Sequence, residues 1–217
     1  MNTAGVTASE SRESAMRIAV VQHRLGANPS EDMSALAAAS ARAVAAGAEW
    51  VVLPTVLSIE TSPEPFLAAC TPPDVLGSIL ELQGDECCDA GRLASARRAP
   101  PDVAVLRPQS ENDLQSEAFL ELAIDLSDSL AGVIIVAECF GAEPGDPGHG
   151  GSAVVVLGEV VAEALADDDL IFADIAVPIA HPEPREPLPL IPLLLRQRAA
   201  FHAGHKLEVP EYPADIG

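Results

Sequence analysis

The stretch MRIAVVQHRLGANPSEDMSALAAASARAVAAGAEWVVLPT, residues 16–55, decides the fold class. It opens with the apolar run MRIAVVQ, which predicts a buried strand. Pro29 and a capping Ser30 then begin an Ala-rich segment with acids in its first turn, and Gly47 closes it, as is typical of a helix. The apolar run WVVL follows and stops at Pro54, which predicts a second buried strand. The order strand, helix, strand predicts a βαβ unit with a parallel pair of strands.

The rest of the chain continues this alternation of strands and helices. Apolar side chains recur every fourth residue over Asn112–Leu130, which predicts an amphipathic helix, and Ala90–Arg98 predicts a shorter one. Apolar, largely β-branched runs predict further strands at 75–82, 103–106, 133–137, 153–157 and 170–177. We therefore expect one α/β domain over residues 16–177, a disordered extension over 1–15 and a Pro-rich tail over 178–217, which lies across the surface or a partner subunit.

The composition excludes several classes of function. The 217 residues carry a formal net charge of −21, from 33 acidic and 12 basic side chains. Because a field of that sign repels phosphates and anionic lipids, we expect no nucleic acid and no membrane among the partners. The N-terminal extension lacks the apolar core of a secretory signal, and the adjacent Cys87 and Cys88 fit disulfide geometry badly. Both features favour a reducing, cytoplasmic location.

A second stretch, residues 103–177, fixes the order of the later elements. A strand ending at Pro108 leads to the long helix, and VIIVAECFG (133–141) and GGSAVVVLGEVVAEALADDDLIFADI (150–175) follow it. In their order and spacing, the two stretches resemble the nitrilase superfamily, the carbon–nitrogen hydrolases. The resemblance implies an α/β fold of the nitrilase-like αββα sandwich type, truncated here, and association into a homodimer or larger homo-oligomer.

The resemblance also implies a particular chemistry. In that family a cysteine attacks an amide or nitrile carbon, a glutamate moves protons and a lysine stabilises the developing negative charge. The family glutamate directly follows the proline after the second strand, where this chain has Thr55, whose hydroxyl is no general base near neutral pH. The family lysine lies between the glutamate and the cysteine, but the only lysine of this chain is Lys206 in the tail. Charge could come instead from three arginines, Arg92, Arg97 and Arg98.

The position of the nucleophile has two alternatives. The triplet CCD at 87–89 has the local pattern of the family nucleophile, with Cys87 in its place. Counting back from Pro101 and Asp102, which match the family sequence before the next strand, gives Asp85 instead. The acidic side chains around Cys87, together with burial, are expected to raise its pKa, which is unfavourable for a nucleophile.

Other polar residues give weaker signals. His149 lies in the Gly-rich loop that borders the substrate cleft in the resembled family, so it is a candidate substrate-binding residue. The pair His202 and His205 and the acidic run at 167–169 could hold a metal, but their surroundings favour a solvated tail and a solvated turn. We expect no metal and no cofactor.

Three hypotheses follow. The leading one is a nitrilase-like protein that is catalytically inactive and acts as a small-ligand-binding or assembly subunit. The alternative is a divergent thiol amidohydrolase that cleaves non-peptide C–N bonds with Cys87 or Cys88 as its nucleophile. The third is a structural subunit of a larger complex, docked through the Pro-rich tail.

Overall fold

The computed structural model describes residues 14–24, 28–54, 68–110, 113–130, 132–140, 150–164 and 170–179. Within these ranges the longer helices are α1 (Pro29–Ala45), α2 (Ala90–Arg98) and α3 (Asp113–Leu130). None of the described helices has the length and apolar character that crossing a bilayer requires. The strands are β1 (Ser14–Val21), β2 (His23–Arg24), β3 (Trp50–Val52), β4 (Ile79–Gln83), β5 (Val103–Arg107), β6 (Val133–Val136), β7 (Cys139–Phe140), β8 (Ala153–Val156), β9 (Glu159–Glu163) and β10 (Leu170–Val177).

The strands form two main sheets. The first has the order β10-β1-β3, with β1 antiparallel to β10 and parallel to β3, so the predicted βαβ unit and its parallel pair are confirmed. The second has the order β4-β5-β6-β8-β9, of which the first three strands are mutually parallel. A short parallel ladder between β2 and β7 joins the chain after β1 to the chain after β6.

Three apolar clusters show that the molecule has four layers. The largest lies between the inner faces of the two sheets and includes Ile18, Trp50 and Val105. A second packs the outer face of the five-stranded sheet against α2 and α3, and a third packs α1 against the outer face of the three-stranded sheet. The order helix, sheet, sheet, helix is the predicted αββα sandwich. Aromatic residues make up only 3% of the chain. The core therefore consists of smaller apolar side chains, which permit the close packing of these layers.

Helix α1 begins two residues earlier than the sequence predicted. Its N-cap is Asn28, whose side-chain oxygen accepts a hydrogen bond from the Ser30 backbone N–H at 3.1 Å, and Pro29 takes the first helical position. The prediction that Ser30 caps the helix was therefore wrong. Proline is favoured at that first position because the N–H it lacks has no partner within the helix.

One predicted strand has a different start, and one strand was not predicted. The strand predicted from Val75 begins at Ile79, because residues Asp74–Leu76 form a 3₁₀ turn that ends at Gly77. Strand β9, with the sequence EVVAE, was not predicted, because its side chains are mostly exposed and it lacks the buried apolar run of the other strands. It pairs with β8 through a tight turn at Leu157 and Gly158, whose φ angles of 52° and 81° are typical of a two-residue hairpin.

Candidate functional site

The parallel strands of both sheets end at one side of the sandwich. The ladder between β2 and β7 and the contacts described below hold the two sets of strand ends together. Open α/β sheets bind ligands outside the carboxyl ends of their strands, which makes this side the natural place for a site. We call it the carboxyl edge and define it by the residues at or next to the strand ends: Gln22, Leu53, Gln83, Arg107 and Glu138.

Arg107 places a buried cation at the carboxyl edge, between the two sheets. It ends β5 on the same face as Val103 and Val105, which belong to the inter-sheet core. Its Nε donates a hydrogen bond to the backbone oxygen of Leu53 at 2.9 Å, which links the end of β5 to the end of β3. Its guanidinium also pairs with Glu81, with one N–O distance of 3.1 Å and another of 3.4 Å.

Arg107 was missed by the sequence analysis. The signal was present, because a charged side chain ends the otherwise apolar strand VAVLR. The three arginines that the sequence did suggest lie on α2, in the outer helix layer. Arg92 pairs with Glu86 at 2.7 Å, Arg97 with Asp125 at 2.8 Å, and Arg98 donates to the Ser95 hydroxyl at 3.1 Å.

Cys87 and Cys88 belong to the core on the helix side of the five-stranded sheet. They lie in the 3₁₀ turn Gly84–Cys88, and both pack in the cluster that includes Leu93. The Cys87 thiol is fully buried and donates to the backbone oxygen of Leu82 at 3.4 Å. Burial raises the pKa of the Cys87 thiol to about 12, and burial also raises the pKa of Cys88.

The turn after β4 shows where the two possible nucleophile positions lie. The strand ends at Gln83, and Gly84 follows with a φ of 48°, a left-handed conformation that favours glycine. Asp85 is exposed, whereas Cys87 points into the helix-side core. Neither position therefore presents a thiol to the inter-sheet face where Arg107 lies.

Glu138 is the second charged group at the carboxyl edge. It is fully buried, and its Oε2 accepts hydrogen bonds from the Ser116 hydroxyl at 2.7 Å and the Gly151 backbone N–H at 2.6 Å. Its own backbone N–H donates to the Ser152 hydroxyl at 2.9 Å, and the Ser152 N–H donates to Gln22 Oε1 at 2.9 Å. The network thus joins α3, both sheets and the stretch before β8. Burial raises the pKa of Glu138 in spite of these hydrogen bonds.

The glycines before β8 are required by this network. A side-chain carbon added at Gly150 would overlap the amide group of Gln22, and one added at Gly151 would overlap the hydroxyl of Ser116. The sequence Gly-Gly-Ser therefore serves a structural purpose, because its backbone passes directly against two buried polar side chains. The motif is visible in the sequence, whereas the buried groups that it contacts are not.

Several predicted site residues cannot be compared with the structure. Thr55, His149, the acidic run 167–169, the tail histidines and Lys206 lie outside the described residues. Across the described ranges, His, Cys, Asp and Glu side chains nowhere gather in a group of three that could hold a metal ion. His23, which the sequence analysis did not single out, lies beside the carboxyl edge with its Nε2 3.1 Å from Asp32 Oδ1.

Solved structures of an amidase from Nesterenkonia sp. AN1 are similar to this chain. A cysteine-to-alanine variant, described as an amidase from the nitrilase superfamily, has a TM-score of 0.56 at 17% identity, covering 89% of this chain and 98% of that chain. A variant with the acetamide moiety of fluoroacetamide added at its active-site cysteine gives 0.56 at 18% identity, covering 89% and 97%. A complex with butyramide gives 0.55 at 17% identity, covering 89% and 98%.

The other comparisons found no relative. No protein-family model matches the chain, and no curated protein matches it by sequence. The structural similarity nevertheless shows that the chain has the fold of the nitrilase superfamily. The fold predicted from residues 16–55 and 103–177 is therefore confirmed.

Proposed function

We propose that this chain is a carbon–nitrogen hydrolase relative without amidase activity, which binds a small ligand or serves as a subunit of an assembly. The observation that carries the proposal is the placement of Cys87 and Cys88 in the helix-side core, away from the inter-sheet face. In the similar amidase, fluoroacetamide adds to an active-site cysteine. Cys87 and Cys88 cannot form such an adduct from that position.

The ionisation of Cys87 supports the same conclusion. The thiolate, not the thiol, is the nucleophile. Burial raises the pKa of Cys87 to about 12, so the thiol is protonated near neutral pH. Its sulfur is also fully buried and already donates to Leu82, so a substrate carbon has no direct approach to it.

The charges at the carboxyl edge add a second argument. Thr55 replaces the acid of the resembled family, and no lysine precedes the tail. Arg107 is a buried cation at the edge, and it is held by Glu81 and by the Leu53 carbonyl. A guanidinium fixed in this way is suited to binding a planar anion and poorly suited to the role of a mobile ammonium.

Ammonia release from small aliphatic amides tests the proposal. Acrylamide, butyramide and fluoroacetamide are suitable, because the similar amidase was solved with each of them or its adduct. We expect no release above the rate in buffer. Turnover by the wild-type chain that disappears in Cys87→Ala or Cys88→Ala would contradict the proposal and establish the thiol amidohydrolase alternative.

The location and the assembly state are parts of the same proposal. Free thiols at Cys70, Cys87 and Cys88 support a reducing, cytoplasmic environment. A homodimer or larger homo-oligomer is supported by apolar side chains that remain exposed near one sheet edge, among them Val160 and Val161 on β9. Ligand binding and assembly are compatible, because the carboxyl edge and β9 are formed by different strand segments.

A further inference from the structure

We propose that Arg107 anchors a binding site for a small carboxylate, and that Glu81 occupies this site as an internal substitute when no ligand is bound. The inference rests on the proposed function, because it names the class of ligand that an inactive chain binds. It follows from the hydrogen bonds of Arg107, from the exposure of Glu81 and from a second arginine pair in the same molecule.

The guanidinium of Arg107 is incompletely satisfied. It has five N–H donors in a fixed planar fork. The Nε group donates to Leu53, whereas the terminal NH2 reaches Glu81 only at 3.4 Å. The terminal NH1 is buried and lies 3.1 Å from Glu81, but it makes no hydrogen bond of acceptable geometry to any described residue. A buried donor without an acceptor is unfavourable, so the group retains capacity for a better-placed anion.

The pair formed by Arg17 and Asp174 shows what a satisfied fork looks like in this chain. Arg17 Nε and its terminal NH2 donate to the two carboxylate oxygens of Asp174 at 2.8 and 2.9 Å. These are the distances expected of a bidentate charge-assisted pair. The contacts of Arg107 with Glu81 are longer and less well directed, which indicates that Glu81 is not the optimal partner of this guanidinium.

Glu81 is also placed so that its carboxylate can move away from Arg107. The Glu81 side chain is 40% exposed, while that of Arg107 is 9% exposed. Glu81 lies on β4, which is the edge strand of the five-stranded sheet among the described residues. Its carboxylate can therefore rotate towards solvent without disturbing a neighbouring strand, and water then replaces its contacts with Arg107.

The chemistry of the fork selects a carboxylate over an amide. A carboxylate offers two acceptor oxygens, which match the two parallel N–H groups of a guanidinium. A neutral amide offers one oxygen and an NH2 group, which would face another donor. Val105, two residues before Arg107 on the same strand face, is apolar and fully buried. The ligand is therefore small, and a probe needs no more than a short aliphatic chain.

Butyrate and butyramide form a matched pair of probes, since they differ mainly in the charge of the head group. Binding is measured on the full chain by the shift in thermal midpoint, at about 0.15 M salt, where the net charge of the protein is screened beyond about 8 Å. We expect butyrate to raise the midpoint in a saturable manner and butyramide, at the same concentration, to leave it unchanged. In Glu81→Gln the half-saturating concentration of butyrate should fall by about tenfold, because the internal competitor has lost its charge.

Two arginine variants serve as controls. Arg107→Lys keeps the charge but removes the fork, so it should weaken butyrate binding by at least about tenfold. Arg17→Gln removes the ion pair with Asp174 on the other side of the three-stranded sheet. It should leave butyrate binding unchanged. Since Arg107→Lys removes the link to Leu53 and can fail to fold, Glu81→Gln is the deciding variant.

The inference is overturned if neither the wild type nor Glu81→Gln responds to butyrate, or if butyramide produces the same shift. These outcomes leave the proposed lack of amidase activity untouched. Conversely, ammonia release from amides would refute the proposed function, whatever the affinity for butyrate.

Discussion

Arg107 and Glu138 are charged side chains at the ends of two apolar strands, and both contribute to the candidate site through contacts that no local pattern encodes. Arg107 ends the run VAVLR and Glu138 follows VIIVA, so each was visible in the sequence as a polar residue ending a buried strand. Their partners are distant along the chain: Arg107 binds the carbonyl of Leu53, and Glu138 binds Ser116 and Gly151. Such residues can therefore be marked from the sequence, but their roles depend on how the two sheets pack.

The raised pKa of Glu138 predicts a pH-dependent contribution to stability. A carboxyl whose folded pKa lies above its ordinary value of 4.5 binds its proton more tightly in the folded state. Its stabilising contribution is complete below the ordinary value and is lost as pH rises through the folded pKa. Glu138→Gln has no carboxyl at this position, so it does not lose this contribution as pH rises. We therefore expect its free energy of unfolding to increase relative to that of the wild type as pH rises above about 4.5.

Urea unfolding midpoints of both proteins across this pH range provide the measurement. Glu159→Gln is the matched control, because it removes the same charge from an exposed position on β9. It accounts for the general effect of reducing the net charge of −21. A difference between wild type and Glu138→Gln that does not vary with pH would refute the prediction.

Among the secondary-structure elements, those with strong local signals were predicted well. Helix α2 has the predicted bounds, Ala90–Arg98, and so does the last strand, Leu170–Val177. The start of β4 was misplaced, because Gly77 has a φ of 74° and Ser78 is held by the Asp102 carboxylate, a contact across 24 residues. Local propensity decided the first two elements, whereas a distant hydrogen bond decided the third.

The close approach of the chain before β8 to α3 predicts the effect of one substitution. In Gly151→Ala the new methyl group overlaps the Ser116 hydroxyl, so the hydrogen bond from Ser116 to Glu138 must shift or break. We expect a loss of about 1–3 kcal/mol in the free energy of unfolding, as for other overpacked sites. Urea unfolding of the variant measures this loss.

Ser116→Ala is the control for that prediction, because it removes the hydroxyl oxygen, which is the nearest atom to the new methyl group. In the Ser116→Ala background, Gly151→Ala should cost less than it does in the wild type, which a double-mutant cycle would detect as non-additivity. Fully additive losses would show that the overlap with Ser116 is not the cause.

At the scale of the whole molecule, order and spacing were more informative than any single motif. Two stretches with weak individual signals predicted a four-layer sandwich, and the solved amidase structures share that fold at 17–18% identity. Two chains of such low identity can share a fold because the fold depends on the alternation of apolar strands and amphipathic helices. Many different sequences have this alternation. The identity of a ligand depends on a few charged side chains, and Arg107 was not among those that the sequence suggested.

The Pro-rich tail provides a test of the proposed assembly. If residues 178–217 dock on a partner subunit, a chain that ends at Val177 should elute later than its mass difference explains, as a smaller oligomer. Size-exclusion chromatography with light scattering measures both masses. An unchanged number of subunits would rule out the tail as the docking element and would leave the exposed surface of β9 as the remaining candidate.

The central claim is that this chain has the fold of the solved amidases while Cys87 and Cys88 have no access to a substrate. Exposure of the native protein to fluoroacetamide, followed by intact mass and peptide mapping, tests this claim most directly. The account predicts no added acetamide group on Cys87 or Cys88, since both thiols are buried and have raised pKa values. Stoichiometric addition to Cys87 in the folded protein, absent in Cys87→Ala, would contradict it.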